Sequence, residues 1–197
     1  MRAFTRGIAR RRAALLLAGG LALVALAVAM LEPRVAGAGA GPSCANAHAD
    51  PADLNAREAG RAIRCLINER RDQHGMGDLA GNGELGKAAQ GHTNHMVEKG
   101  CFSHECPGEG GMSSRVKRIG YLSGARAWGL GENIAAGEGE RGSPAEMVAA
   151  WMNSPPHRAN IFNRSFEHLG VGMEHGTPSS PNGGGASYTT DFGFTKG

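Results

Sequence analysis

The apolar residues between positions 59 and 67 recur at helical spacing. They occupy positions i, i+3, i+4, i+7 and i+8 of one face: Ala59, Ala62, Ile63, Leu66 and Ile67. This spacing is typical of an amphipathic helix that buries one side. Asp50 and Pro51 predict its start, as an N-cap followed by proline at the first helical position, and Gly75 predicts its end.

Two further helices are predicted in the middle of the chain. The first covers residues 84–99 and carries an apolar face, with Gly100 as its stop signal. The second is short, covers residues 114–119, and is bounded by Ser113 as N-cap and Gly120 at its end.

A fourth helix has the clearest start signal in the sequence. Ser143, Pro144 and Glu146 form a capping-box pattern, with proline at the first helical position. Pro155 and Pro156 predict where this helix ends, because proline disrupts a helix interior.

In the C-terminal third the hydrophobic period changes to two. Alternating residues of this kind are Leu169, Val171 and Met173, then Tyr188, Thr190, Phe192 and Phe194. Alternation predicts two strands, and the Gly-, Pro- and Ser-rich segment 176–186 between them predicts a hairpin loop. A short third strand is predicted at residues 132–134. Helices packed on a small antiparallel sheet indicate an α+β fold.

The first forty residues have the order of a secretory signal peptide. A basic leader with five arginines precedes an uncharged apolar run over residues 13–31, and Ala38 and Ala40 form an A-x-A-like cleavage site. We therefore predict a signal peptide at residues 1–40, a lead-in at 41–53 and one folded domain at 54–197. The apolar run is also long enough for an uncleaved membrane anchor, which stays an alternative.

Export changes the charge balance of the remaining chain. Residues 1–40 hold six of the 21 Lys and Arg and one of the 18 Asp and Glu, so 15 basic residues face 17 acidic ones afterwards. Without a basic patch, nucleic acid is excluded as a partner. We expect a secreted or cell-envelope protein that contacts a membrane only through the N-terminal segment, if that segment is uncleaved.

Four cysteines remain after the leader: Cys44, Cys65, Cys101 and Cys106. An even number in an exported protein indicates disulfide bonds, and three pairings are open. A bridge between Cys101 and Cys106 would close a tight loop around His104. Cys44 and Cys65 would then tie the lead-in to the first helix.

The candidate chemistry lies in three separate segments, which contain His104, Glu132 and His157. Each residue stands beside a turn signal, as side chains of a polar cleft often do. Two imidazoles and a carboxylate can hold zinc with an open position for water. They can equally form a metal-free hydrogen-bonded cluster, or Glu132 and Asn133 can cap backbone groups of the core. No cofactor is required, and zinc is the metal that the triad would suit.

Two other patterns are excluded by their context. Residues 81–86 match G-x-G-x-x-G, but a helix and loop are predicted before them where a dinucleotide site needs a strand. His92 and His95 are three residues apart on a helix, yet His92 lies within the apolar stripe. We interpret them as a core and a surface histidine.

At these residues the chain resembles the CAP superfamily, also called SCP domains, which includes cysteine-rich secretory proteins, antigen 5 and pathogenesis-related proteins. It is most similar to the bacterial secreted branch. The resemblance covers residues 62–194 through the ordered segments LINERR, HTNHM, FSH, GENIAAG, AWMNSPPHRANI, LGVGM and YTTDFG. It implies a three-layer α-β-α sandwich around a small antiparallel sheet.

The resemblance also implies a cleft with two histidines and two glutamates, which sometimes holds zinc. His104 matches the first histidine and Glu132 the first glutamate, whereas the other two positions fall near Ser154 and Ser187. His157 can fill the vacancy. The implied function is a binding module for a lipid- or sterol-like ligand or a cell-envelope component. The alternative is a metal-dependent extracellular hydrolase that uses the same cleft.

Overall fold

Five α-helices and four β-strands are found in residues 44–197, which are the residues that the computed structural model describes. In chain order, these elements are α1 (Ala56–Asp72), β1 (Ala80–Gly81), α2 (Gly83–Lys99), α3 (Met112–Ile119), β2 (Ala127–Glu138), α4 (Pro144–Asn153), α5 (Pro155–Ile161), β3 (His168–His175) and β4 (Gly185–Lys196). The predicted signal peptide, and the choice between cleavage and anchoring, lie outside the described residues. Between residues 44 and 197, no helix is both long and apolar enough to cross a membrane.

The four strands form one sheet in the order β1-β3-β4-β2. The three long strands pair antiparallel, as predicted, and the two-residue strand β1 joins the edge in parallel to β3. β2 pairs with β4 along its whole length. The observed strand is therefore much longer than the short strand predicted at residues 132–134. β2 forms the other edge of the sheet.

Helices cover both faces of this sheet, which confirms the α-β-α sandwich. On one face, residues from α1, α4 and α5 pack with the odd-numbered residues of β3 and with Tyr188 and Phe192 in the main core. On the other face, Gly170 and Gly172 lie directly against the backbone of α2, where a Cβ atom would collide with it. Because these glycines have no side chains, the helix can lie close to the sheet.

The helix starts correct three predictions. α3 begins at Met112 after Gly111, which forms no side-chain cap, rather than after Ser113. Asp50 caps only a short 3₁₀ turn at Pro51–Asp53, and α1 begins after Asn55, whose side chain forms a capping box with Glu58. Pro155 begins α5 rather than merely ending α4, because proline is well suited to the first turn of a helix.

Both expected disulfide bonds are present, and they pair Cys44 with Cys65 and Cys101 with Cys106. The first fastens the start of the described chain to α1. The second closes the loop that follows α2 and contains His104.

Candidate functional site

Glu132 lies in the middle of β2 and points toward α2 and α3. Its neighbour Asn133 points to the opposite face, because successive side chains alternate along a strand. Glu132 is only 8% exposed. A buried carboxylate needs a compensating charge or hydrogen bonds.

Arg115, on α3, provides that charge. Its guanidinium pairs with Oε2 of Glu132, and both side chains are buried. Arg115 also donates to the carbonyl oxygens of His104 at 3.1 Å and Gly110 at 3.0 Å. One arginine therefore joins α3, the His104 loop and β2.

His104 contacts the other oxygen of the same carboxylate. Its Nδ1 lies 2.9 Å from Oε1 of Glu132, while the imidazole is 55% exposed. A carboxylate can only accept here, so Nδ1 carries the proton. Burial by itself would raise the pKa of Glu132, but the hydrogen bond from His104 and the charge of Arg115 lower it overall. Glu132 is therefore ionised at neutral pH.

His92 and Glu109 extend this cluster into α2 and into the segment between Cys106 and α3. Nδ1 of His92 lies 2.6 Å from Oε1 of Glu109, and its Nε2 lies 3.9 Å from Oε1 of Glu132. Burial and the charge of Arg115 together lower the pKa of His92 more than Glu132 and Glu109 raise it, which keeps the ring neutral. His92 is a core histidine, as interpreted from the sequence, but it also forms one wall of the Glu132 site.

Asp191 lies directly opposite Glu132 in the register of β2 and β4 and is fully buried. If Asp191 and Glu132 are both ionised, neither can donate to the other. Neither carboxyl oxygen of Asp191 then has a hydrogen-bond partner among residues 44–197. Burial and the charge of Glu132 raise the pKa of Asp191 well above its usual range. A protonated Asp191 has a hydrogen to donate to Glu132, which satisfies both groups.

His157 lies on α5, which packs against the outer edge of β2. Its backbone oxygen accepts a hydrogen bond from Nδ2 of Asn133 at 3.1 Å. Within residues 44–197, its imidazole forms no hydrogen bond with His104 or Glu132. Burial, followed by the charge of His104, lowers the pKa of His157. Of the three predicted residues, His104 and Glu132 are thus joined by a hydrogen bond, whereas His157 interacts with His104 only through its charge.

Asn160 fixes α5 against the outer edge of β2. Its Nδ2 donates to the backbone oxygen of Glu132 at 3.1 Å and to Oδ1 of Asn133 at 2.8 Å. Trp151 acts in the same way from α4, donating from Nε1 to the backbone oxygen of Ile134 at 3.0 Å. These contacts hold the Glu132 backbone in place from the side opposite its carboxylate.

The donor atoms of the predicted triad do not converge as zinc ligands would. The one group in residues 44–197 that brings three ligand atoms within 4.8 Å of one another is Cys44, Cys65 and Glu69. Those two sulfur atoms form a disulfide bond, so they are not thiolate ligands. At Glu132, both oxygens are already taken by Arg115 and His104. The triad in this arrangement does not fit a zinc ion.

Three members of the cluster could not be identified from the sequence: Glu109, Arg115 and Asp191. Glu109 and Arg115 lack a motif, and their roles follow from how the disulfide loop and α3 fold back over β2. Asp191 had one usable signal, since it stands on the opposite face from Tyr188 and Phe192 in an alternating strand. Only the register with β2, however, brings it to Glu132.

A cavity of about 720 Å³ lies beyond the end of β2. It is lined by Phe102 of the disulfide loop, by the last residues of β2, by α4 and by residues 177–179. Phe102 is 54% exposed and contributes a large apolar side chain to this lining. None of His104, Glu132 and His157 lines it, so the expected cleft and this cavity are neighbouring features rather than one.

Comparison with known proteins relates this chain to a protein family. A family model described as the cysteine-rich secretory protein family, CAP, matches residues 65–184. The uncharacterized protein YkwD of Bacillus subtilis is 37% identical over 122 residues, which are 62% of this chain and 44% of YkwD. The uncharacterized membrane protein YlbC of the same species is 34% identical over 58% of this chain and 31% of YlbC. The chain thus spans less than half the length of these relatives.

Solved structures share the fold. An extracellular protein of Bacillus anthracis that contains an SCP domain aligns with a TM-score of 0.56 and 29% identity, covering 70% of this chain and 40% of that protein. An outer surface protein of Borrelia burgdorferi aligns with a TM-score of 0.59 and 19% identity, over 73% of this chain and 97% of that one.

Proposed function

Because the chain belongs to the cysteine-rich secretory protein (CAP) family, we propose that it is an exported binding module for an apolar ligand or a cell-envelope component. Export is supported by the leader-like first forty residues, by the two disulfide bonds and by the extracellular SCP protein of B. anthracis. The observation that carries the binding role is the cavity beyond β2.

The size and lining of this cavity suit a small amphipathic molecule. Its volume of about 720 Å³ lies within the range of small-molecule sites. Phe102, Met147 and Ala150 provide apolar surface, and Arg141 and Glu146 are charged groups of the same lining. We propose that an apolar chain packs against the first three residues and that a polar end pairs with the charged ones.

The Glu132 site can act as a rigid support for this cavity. Phe102 and His104 belong to one short loop that the Cys101–Cys106 bond closes. His104 fastens that loop to Glu132, and Glu132 lies on the strand whose end lines the cavity. In this proposal the His–Glu pair positions Phe102 rather than contacting the ligand. The metal-dependent hydrolase has no comparable supporting observation.

A fluorescent long-chain fatty acid is a suitable probe, titrated into the purified domain with and without EDTA. We expect saturable binding that EDTA leaves unchanged. Phe102→Ser should weaken it about tenfold or more, because about 1.5–3 kcal/mol of apolar burial is lost. Ile119→Ser is the matched control, since Ile119 is 40% exposed and lies outside the cavity.

Equal effects of the two substitutions would contradict this assignment of the cavity. If neither protein binds the fatty acid, sedimentation with isolated cell-wall material tests the cell-envelope alternative. Loss of wall binding in Phe102→Ser alone would support that alternative, and the absence of binding in both assays would overturn the proposed function.

A further inference from the structure

A groove of about 250 Å³ lies near the edge of the sheet opposite the cavity. It is formed by α1, by the junction of β1 and α2, and by the first half of β3. Four of the residues that line it are glycines: Gly60, Gly81, Gly86 and Gly170. Gly86 has open space beside its backbone, whereas the guanidinium of Arg64 lies against Gly81 and Gly170 packs on α2.

Three arginines of α1 are the charged residues of this groove. Arg57, Arg61 and Arg64 follow one another at i, i+4 and i+7, which places them on one side of the helix. Their positions along the helix axis are about 6 Å and about 4.5 Å apart. No carboxylate lines the groove. Within residues 44–197, none of the three guanidinium groups lies within ion-pair distance of an acid.

The nearest acidic residues lie outside this groove. Glu58 is directed to the start of α1, where its carboxylate accepts from the backbone nitrogen of Asn55 at 3.1 Å. Glu69, Asp72 and Asp78 line a neighbouring depression together with Arg61 and Arg64. The charged residues that line the groove itself are thus all basic, which corrects the expectation from the sequence that no basic patch remains after residue 40.

We propose that this groove binds a polyanion with adjacent phosphate groups. Guanidinium groups are always charged and match phosphate oxygens with paired N–H donors. Three of them in a row along one wall suit successive phosphates of a chain better than a single anion. This surface is separate from the cavity, so it does not depend on the proposed function.

Isothermal titration with inorganic tripolyphosphate, in about 50 mM NaCl to limit screening, tests the proposal. We expect saturable binding to the wild-type domain. The triple variant Arg57→Gln, Arg61→Gln, Arg64→Gln should lose at least about tenfold in affinity, and the double variant at 57 and 61 should fall between the two. The control carries Lys99→Gln, Lys117→Gln and Arg126→Gln, three exposed positions outside the groove, and should change affinity by less than about twofold.

The control removes the same net charge, so it separates a local site from a general charge effect. Equal losses in the two triple variants, or no binding by the wild type, would overturn the proposal. Binding to phosphatidylglycerol vesicles without binding to tripolyphosphate would also overturn it, in favour of a membrane surface. Circular dichroism and thermal unfolding establish that each variant is folded. If the triple variant does not fold, the double variant, which keeps the half-buried Arg64, provides the test instead.

Discussion

Glu132 and Asp191 lie directly opposite each other on β2 and β4, and both carboxyl groups are buried, but only Glu132 has a cation beside it. Like charges at directly opposed strand positions destabilise a sheet. The pair is compatible with the fold if Asp191 keeps its proton and Glu132 is the charged member. That division of roles gives the site a pH dependence.

We expect Asp191→Asn to reduce the pH dependence of stability. An unfolded aspartic acid loses its proton near about pH 4, whereas the pKa of folded Asp191 is raised by burial and by Glu132. Between these two values the folded state binds the extra proton, so the wild type loses stability as pH rises. The slope from this one proton is at most about 1.4 kcal/mol per pH unit. Asparagine cannot ionise, so the variant lacks this loss.

The measurement is urea unfolding of both proteins between about pH 5 and pH 8. Asp72→Asn is the control, because Asp72 is exposed and its replacement should leave the slope unchanged. If the free energy of unfolding changes with pH in the same way for wild type and Asp191→Asn, Asp191 is ionised in the folded protein.

Arg115→Met should destabilise the domain by about 3 kcal/mol or more, because it leaves the carboxylate of Glu132 buried without its cation. Glu132→Gln removes that charge. The double variant should therefore be more stable than Arg115→Met alone, by at least about 1 kcal/mol. Chemical denaturation of the four proteins in this cycle gives the coupling energy. A double variant whose loss equals the sum of the single losses would mean that the two side chains act independently.

Zinc should bind the domain weakly and without dependence on the predicted triad. Glu132 is already engaged by Arg115 and His104, and the His157 imidazole forms no hydrogen bond with either Glu132 or His104. Titration calorimetry should give the same weak heats for wild type, His104→Ala and His157→Ala. Stoichiometric zinc that is lost in His104→Ala would contradict this expectation and support the metal-dependent hydrolase.

Gly170→Ala should cost about 2 kcal/mol or more, because its Cβ would collide with the backbone of α2 at Leu85 and Gly86. Gly91→Ala provides the opposite case within α2. That glycine has open space around it, so alanine should stabilise the helix by about 0.5–1 kcal/mol. Thermal unfolding of both variants measures the difference. A neutral Gly170→Ala would show that α2 can move away from the sheet.

The helices were predictable because each depends on local signals. Spacing and stop signals identified α2 to within one residue at its start, and Ser143 correctly marked the start of α4. The sequence does not predict α5, because Pro155 and Pro156 indicate a helix end as readily as a first helical turn. The start of α1 was displaced because Asp50 also resembles an N-cap, and only the fold shows that Asn55 is the one used.

The candidate site was less predictable, because it depends on pairings between distant segments. His104 and Glu132 stand in recognisable motifs, and the structure places them in contact. Asp191 reaches Glu132 only through the register of β2 with β4, which alternation alone does not determine. Arg115 comes from a short helix whose orientation depends on tertiary packing. Sequence therefore indicated Glu132 and His104, but not Arg115 and Asp191, two other groups that act on the charge of Glu132.

The side chains that fasten α4 and α5 to β2 also protect the molecule from self-association. β2 is an edge strand, and free backbone acceptors on such an edge can recruit a strand from another molecule. At Glu132 and Ile134 those acceptors are occupied by Asn160 and Trp151. An intermolecular sheet that grew across the centre of β2 would first have to displace a buried indole and an asparagine. Polymerisation through this edge is therefore blocked by the same two contacts that hold the Glu132 backbone in place.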